Sequence, residues 1–266
     1  MKIVRSFLFP LCLFAVFSTA SAQTDTTKKQ LDNKIDQFSF EEIPQIEEKV
    51  PYFAVGGGFT GTLLFTNFDA LNSTASDFFG TSVAFGSPMF MTGGQGFVGF
   101  PFISNSRLGI VAMGGSTTLT QDRSINSVET TRRVQYALSL TGITFDYAFT
   151  PIKGLAILPG AMLGFGTMSI TSSSSLKTRA WSGIGMTNVN NFSQELRSSF
   201  IMIQPNLNIE YSFTPFTMIR FNAGYSYTTM GDWKVDGSTT MTGVPDAING
   251  RGLTLQAGIF FGLFNN

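Results

Sequence analysis

The sequence predicts an all-β protein: a transmembrane, antiparallel, up-and-down β-barrel of eight strands, preceded by a short periplasmic N-terminal extension. Three observations carry this reading. The segment Ile201–Phe213 alternates strictly, with Ile201, Ile203, Leu207, Ile209, Tyr211 and Phe213 on one face and Met202, Gln204, Asn206, Asn208, Glu210 and Ser212 on the other. Period two is a strand, and a bulky apolar face over about 10 residues with aromatics at its end is the pattern of a strand that faces lipid. Connections between such segments alternate between tight and long. The chain also carries 28 phenylalanines, as many as its glycines, yet no apolar run near the roughly 18 residues of a membrane helix.

The chain starts with Lys2 and Arg5, continues through the apolar run Phe7–Phe17 and reaches Ser18-Thr-Ala-Ser-Ala22. This order predicts a cleaved secretory signal peptide over 1–22. The single cysteine, Cys12, lies within it, so the mature chain forms no disulfide. Residues 23–50 hold eleven charged side chains, against twenty-one in the whole of 51–266. That segment reads as a periplasmic linker or a short amphipathic helix, with Leu31, Ile35 and Phe38 at helical spacing. The barrel domain is expected over 51–266. No basic patch argues for nucleic acid as a partner.

Taken in order, strands are expected near 52–65, 89–103, 108–120, 133–149, 155–170, 198–213, 217–230 and 252–264. Met218–Tyr227 repeats the alternation of Ile201–Phe213, with Ile219, Phe221, Ala223, Tyr225 and Tyr227 on its apolar side. In 133–149 the apolar set changes parity, from Tyr136, Leu138 and Leu140 to Ile143, Phe145 and Tyr147. A β-bulge near Thr141-Gly142 would restore one greasy face, leaving Arg133, Gln135, Ser139, Thr144 and Asp146 as the polar set. Pro159 and Pro205 fall in mid-strand, where proline forfeits a ladder bond, and are expected at bulges or kinks. The connections 104–107, 150–154 and 214–216 are tight, whereas 66–88, 121–132, 171–197 and 231–251 are long and polar. Short periplasmic turns alternating with long extracellular loops are what a barrel requires.

The hexapeptide Asp146-Tyr-Ala-Phe-Thr-Pro151 returns as Glu210-Tyr-Ser-Phe-Thr-Pro215. The interval is one ascending strand, one long loop and one descending strand, so both copies reach the same rim. There the aromatics suit an interfacial belt and Thr-Pro begins a turn. In strand number, loop alternation and aromatic placement, residues 52–264 resemble the small eight-stranded outer-membrane barrels of the OmpA, OmpX and OmpW type. The chain departs from that pattern at its end, where Phe264 is followed by Asn265-Asn266. The resemblance implies export to the outer membrane of a Gram-negative bacterium, with outer-membrane lipid and the barrel-insertion machinery as partners.

Barrel enzymes resemble one another in using a histidine base, and this chain has no histidine, so a non-enzymatic protein without cofactor or metal is expected. Asp146, Glu210, Arg220 and Arg133 are expected to point inward as a structural charge network, with Glu210 directly across from Arg220. An interior of eight strands is wide enough for side chains to fill, which favours a closed barrel presenting surface or host contacts through its four long loops. The alternative is a conduit for small hydrophobic molecules lined by Val111, Met113, Leu158, Met162, Met168 and Phe260, a function that resemblance to the OmpW type implies.

Overall fold

The computed structural model describes residues 52–125, 128–177 and 191–265. The expected signal peptide and the 23–50 segment lie outside the described residues, as do 178–190 of the third long loop. Eight long strands form the wall: β1 (Phe53–Thr66), β2 (Met89–Gly99), β3 (Ser106–Ile125), β4 (Val128–Tyr147), β6 (Leu155–Leu176), β7 (Phe192–Thr214), β8 (Thr217–Met230) and β11 (Gly252–Asn265). Three short strands, β5 (Phe149–Ile152), β9 (Trp233–Val235) and β10 (Thr239–Met241), and one helix, α1 (Asp69–Phe79), complete the described elements. Neighbours pair antiparallel in the order β7-β8-β11-β1-β2-β3-β4-β6, and β6 pairs back onto β7. The eight long strands therefore close into a barrel, with each strand paired on both sides within it.

Outward positions carry the apolar belt. Phe59, Ile110, Phe165, Ile201 and Phe221 stand 57–80% exposed, which is tolerable only against hydrocarbon. On β7 the belt runs from Ile201 to Phe213, twelve residue steps. At about 3.3 Å per residue and a tilt of about 40°, that is roughly 30 Å of membrane-normal height, close to the band such barrels expose. At the short-turn end Tyr147 meets Phe149 and Tyr211 meets Phe213 edge to face, with ring centroids 5.2 and 5.1 Å apart. The two copies of the hexapeptide thus place matching aromatic pairs on one rim.

Strands β3, β4, β6 and β7 continue past the belt as a four-stranded wall. The β3–β4 ladder runs unbroken from Ser106↔Tyr147 to Ile125↔Val128, so most of the loop expected at 121–132 is strand. The loop expected at 171–197 likewise surrenders both its ends to β6 and β7. No bulge occurs at Thr141-Gly142: β4 keeps one register with β3 and with β6 through that point. Instead the chemistry of its two faces exchanges. Ile143, Phe145 and Tyr147 face out toward lipid, whereas Val134, Tyr136, Leu138 and Leu140 face in and are buried. Tyr136 is consequently a core residue, 2% exposed.

The proline positions make no bulge either. Pro159↔Leu207 and Ala161↔Pro205 sit in an unbroken β6–β7 register. Pro159 lies where the β4 ladder has ended at Asp146↔Gly160 and pairing with β5 begins at Phe149↔Ile157. Pro205 lies where the β7–β8 ladder pauses between Ile203↔Tyr227 and Asn206↔Gly224 without changing register. Each proline occupies a place where no ladder bond is asked of it.

Above the belt, α1 packs across the inner face of this wall. Leu71, Ala75 and Phe79, at helical spacing, are buried in one apolar cluster with Val134, Tyr136, Leu138, Met168, Ile170, Trp233 and Ile248. Asp69 in the first turn complements the helix dipole. Gly80 ends the helix at φ 71°, its N–H donating to the Ser76 carbonyl, in the left-handed conformation that glycine adopts without penalty. Two inward-facing arginines of the β3–β4 hairpin reach this C-terminus. Arg132 donates to the Phe78 carbonyl, and the Arg123 guanidinium lies beside Gly80, where cations favour the helix dipole.

Candidate functional site

At the short-turn end, register places four charges in the lumen. Arg107 opens β3 opposite Asp146 near the end of β4, and Glu210 near the end of β7 is the Cα partner of Arg220 on β8. All four are almost fully buried, at 0–1% exposure. Arg107 Nε donates to Asp146 Oδ2 at 2.9 Å, and its Nη1 lies 2.6 Å from Glu210 Oε1. Arg220 Nε donates to the same Glu210 oxygen at 2.6 Å. The Tyr52 hydroxyl bridges them, accepting from Arg107 Nη1 and donating to Glu210 Oε2, each at 3.1 Å. Gln95 Oε1 accepts from Arg220 Nη1 at 2.7 Å, and Asn208 Nδ2 donates to Asp146 Oδ1 at 3.0 Å.

Two cations and two anions leave the group neutral, and their mutual hydrogen bonds offset part of the cost of taking four charges out of water. The arginine faces are used as well. The guanidinium carbons of Arg107 and Arg220 lie 4.5 and 4.6 Å from the centroid of Phe97, and that of Arg220 lies 4.1 Å from Phe260. Desolvated contacts of this kind contribute about 2 kcal/mol each. Arg107 Nη2 and Arg220 Nη2, buried without hydrogen-bond partners, give up part of that gain. Gly160 is required here, because a Cβ at that position would stand 2.1 Å from Asp146 Oδ1.

Arg133 does not join the network. Parity along β4 is unbroken, so its side chain is exposed on the outward face of the wall, 13 positions along the strand from Asp146. Sequence reasoning also passed over Arg107, Tyr52 and Gln95. By sequence Arg107 falls in the expected turn 104–107, although it shares inward parity with Val111 and Met113. Of the expected conduit residues, all six point inward, but they divide. Val111, Met162 and Met168 belong to the upper apolar cluster with Met113 packed against it, while Leu158 and Phe260 belong to a lower cluster with Phe97, Met218 and Phe264.

Between the clusters lies a polar band that includes Gln95, Thr144, Gln204, Asn208, Asn222 and Gln256. Together with residues of the upper apolar cluster, among them Leu64, Met91, Val111, Met162 and Met202, it lines a cavity of about 30 Å³, room for roughly two waters. Asn222 Nδ2 donates to Asn208 Oδ1 at 2.8 Å, and Gln256 Nε2 to Thr62 Oγ1 at 3.0 Å. From the short turns upward the lumen is thus filled by charges and aromatics, then amides, then the apolar cluster beneath α1.

The fold is a closed, antiparallel, eight-stranded barrel with an apolar outer belt. No protein-family model matches the chain, and no curated protein matches its sequence. Among solved structures it is similar to a major outer membrane protein from Thermus thermophilus, with 9% identity over 79% of this chain and 99% of that one, at a TM-score of 0.45. It is similar also to Ail, the attachment invasion locus protein of Yersinia pestis, with 10% identity over 80% and 99% of the chains and a TM-score of 0.37. The outer membrane protease OmpT from Escherichia coli matches at 10% identity over 80% and 95%, with a TM-score of 0.33. Likenesses this distant concern the barrel alone.

Proposed function

We propose that this outer-membrane barrel is a closed, non-enzymatic anchor that presents its long-loop end outside the cell, for surface attachment, adhesion or envelope integrity. The observation that carries the reading is the filled lumen, blocked near one end by the Arg107–Asp146–Glu210–Arg220 network and near the other by the apolar cluster under α1. A conduit for small hydrophobic molecules would need a continuous apolar path, and the polar band interrupts it. The head is consistent with presentation: the inner face of its wall is covered by α1, and Ser116, Thr118, Ser139 and Ser199 leave its outer face polar and exposed. Export to the outer membrane of a Gram-negative bacterium, with the head outward, belongs to the same reading.

Purified protein in planar bilayers tests it. The expected result is no stable conductance and no solute-dependent current, with the loop at 231–251 open to cysteine labelling on whole cells. Steady channels blocked by hydrophobic solutes would favour the conduit instead.

A further inference from the structure

The loop 231–251 is tied back to the end of β8 around a cavity of about 370 Å³. That volume lies within the roughly 300–1,000 Å³ of small-molecule sites. Hydrogen bonds fix its walls in advance. The Ile248 N–H donates to the Pro245 carbonyl, Asn249 Nδ2 donates to the Asp246 carbonyl at 2.7 Å, and Asn249 Oδ1 accepts from the Arg251 N–H at 2.9 Å. Arg251 Nε and Nη2 both donate to the Thr228 carbonyl, at 3.0 and 2.9 Å.

The lining has two chemistries. Trp233, Val244, Pro245 and Ile248 supply apolar surface, and Asp246 and Arg251 supply opposite charges. Trp233 is 7% exposed, and its indole N–H has no hydrogen-bond partner among the described residues although it is not sealed from solvent. The Asp246 carboxylate and Arg251 Nη1 likewise make no hydrogen bond or ion pair among the described residues. One carboxylate acceptor and two donors therefore stand free beside an apolar wall. An anion bound here would meet Asp246 and a cation would meet Arg251, whereas an uncharged ligand whose hydroxyls both donate and accept satisfies all three groups. A pyranose carries such hydroxyls on its rim and offers a C–H face to the apolar wall.

We infer that this loop cavity binds a neutral hexopyranose, its C–H face on the apolar wall and its hydroxyls on Asp246, Arg251 and the Trp233 N–H. The inference rests on the reading of the long-loop end as an attachment surface and names the ligand class of that surface. Binding is measured on purified full-length protein in lipid nanodiscs, where sidedness plays no part, so whole-cell labelling of 231–251 tests the anchor separately. Trp181→Phe leaves Trp233 as the single tryptophan, and its fluorescence reports on the site. Titration with the methyl glycosides of galactose, glucose and mannose should give a saturable change with at least one of them at millimolar concentration. Sorbitol, which has hydroxyls but no ring face, should give none. Asp246→Ala should weaken binding about tenfold, and Val244→Phe, which narrows the cavity, should abolish it. No saturable response to any of the three glycosides, an equal response to sorbitol, unchanged affinity in Asp246→Ala, or tighter binding of the zwitterion glycylglycine than of any glycoside would each overturn the inference.

Discussion

The two halves of β4 obey opposite rules with one geometry. From Gly142 to Tyr147 the outward side chains are Ile143, Phe145 and Tyr147, and the inward positions hold Gly142, Thr144 and Asp146. From Val134 to Leu140 the inward set is Val134, Tyr136, Leu138 and Leu140, and the outward set includes Gln135 and Ser139. Strand β6 changes between Phe165 and Thr167, and β7 between Ile201 and Ser199. Pleat and parity do not change at these points; the solvent does. Where lipid lies outside, polar groups are sent inward, and where water lies outside, the apolar side must find cover, here from α1. The position of the exchange therefore marks the membrane surface on each strand.

The largest effect that tests this contrast is expected inside the lower half. Glu210→Gln or Arg220→Met should each cost roughly 3–5 kcal/mol, because the surviving partner is left buried without compensation. Urea unfolding in lipid vesicles would measure it, and the double variant should recover part of the loss. Fully additive losses would mean that the pair is not coupled.

The outer faces supply the next test. Leu207→Arg, in the middle of the β7 belt, should cost about 2–4 kcal/mol as a charge at bilayer depth. Ser193→Arg, on the same strand and the same face but above the exchange, should change stability by less than about 0.5 kcal/mol. Equal costs at the two sites would displace the membrane boundary from where β7 puts it.

Helix α1 belongs to the watery half, so Leu71→Ala should loosen the head by about 2–3 kcal/mol. The expected readout is faster proteolysis within 67–88 on whole cells, with little change in the urea midpoint of the barrel. A large fall in that midpoint would show that head and barrel unfold as one unit. Glycine positions bracket the range: Gly160→Ala would set its methyl group against both the Asp146 carboxylate and the Phe145 backbone carbonyl, at about 3 kcal/mol. Smallest is glycine to alanine at the solvent-exposed Gly86, where nothing lies within 4 Å, which should be close to neutral.

How far the sequence could be read follows from the same physics. The eight strands were legible because alternation is a local property of a chain against two environments. The Glu210–Arg220 partnership was legible because a three-residue loop over 214–216 sets that register; the turn closes one pair earlier, at Thr214↔Thr217, and the irregularity between Ser212 and Thr214 restores the same partners. The change of parity at Thr141 was read as a bulge, since one stretch of sequence looks alike whether the strand slips or its surroundings change. That mistake carried Arg133 inward. Helix α1 was missed because Leu71, Ala75 and Phe79 are its only buried positions, set among Ser, Thr and Asn that read as loop. Arg107 was missed because its partners lie 39 and 103 positions away, beyond what any local pattern can indicate.

Those separations bear on assembly. Tyr52 meets Glu210 across 158 positions of chain, and Arg220 meets Gln95 across 125. A nascent hairpin cannot satisfy such contacts, because loop closure over these distances comes late. Until the seam between β1 and β11 is made, Glu210 and its neighbours would face an unfinished interior with some of their partners missing. The Arg107–Asp146 and Glu210–Arg220 pairs need only their own hairpins, β3–β4 and β7–β8, whereas the Arg107–Glu210 and Arg220–Gln95 contacts exist only across the assembled lumen. The charges therefore add their stability in two stages, and the second stage rewards closure of the cylinder.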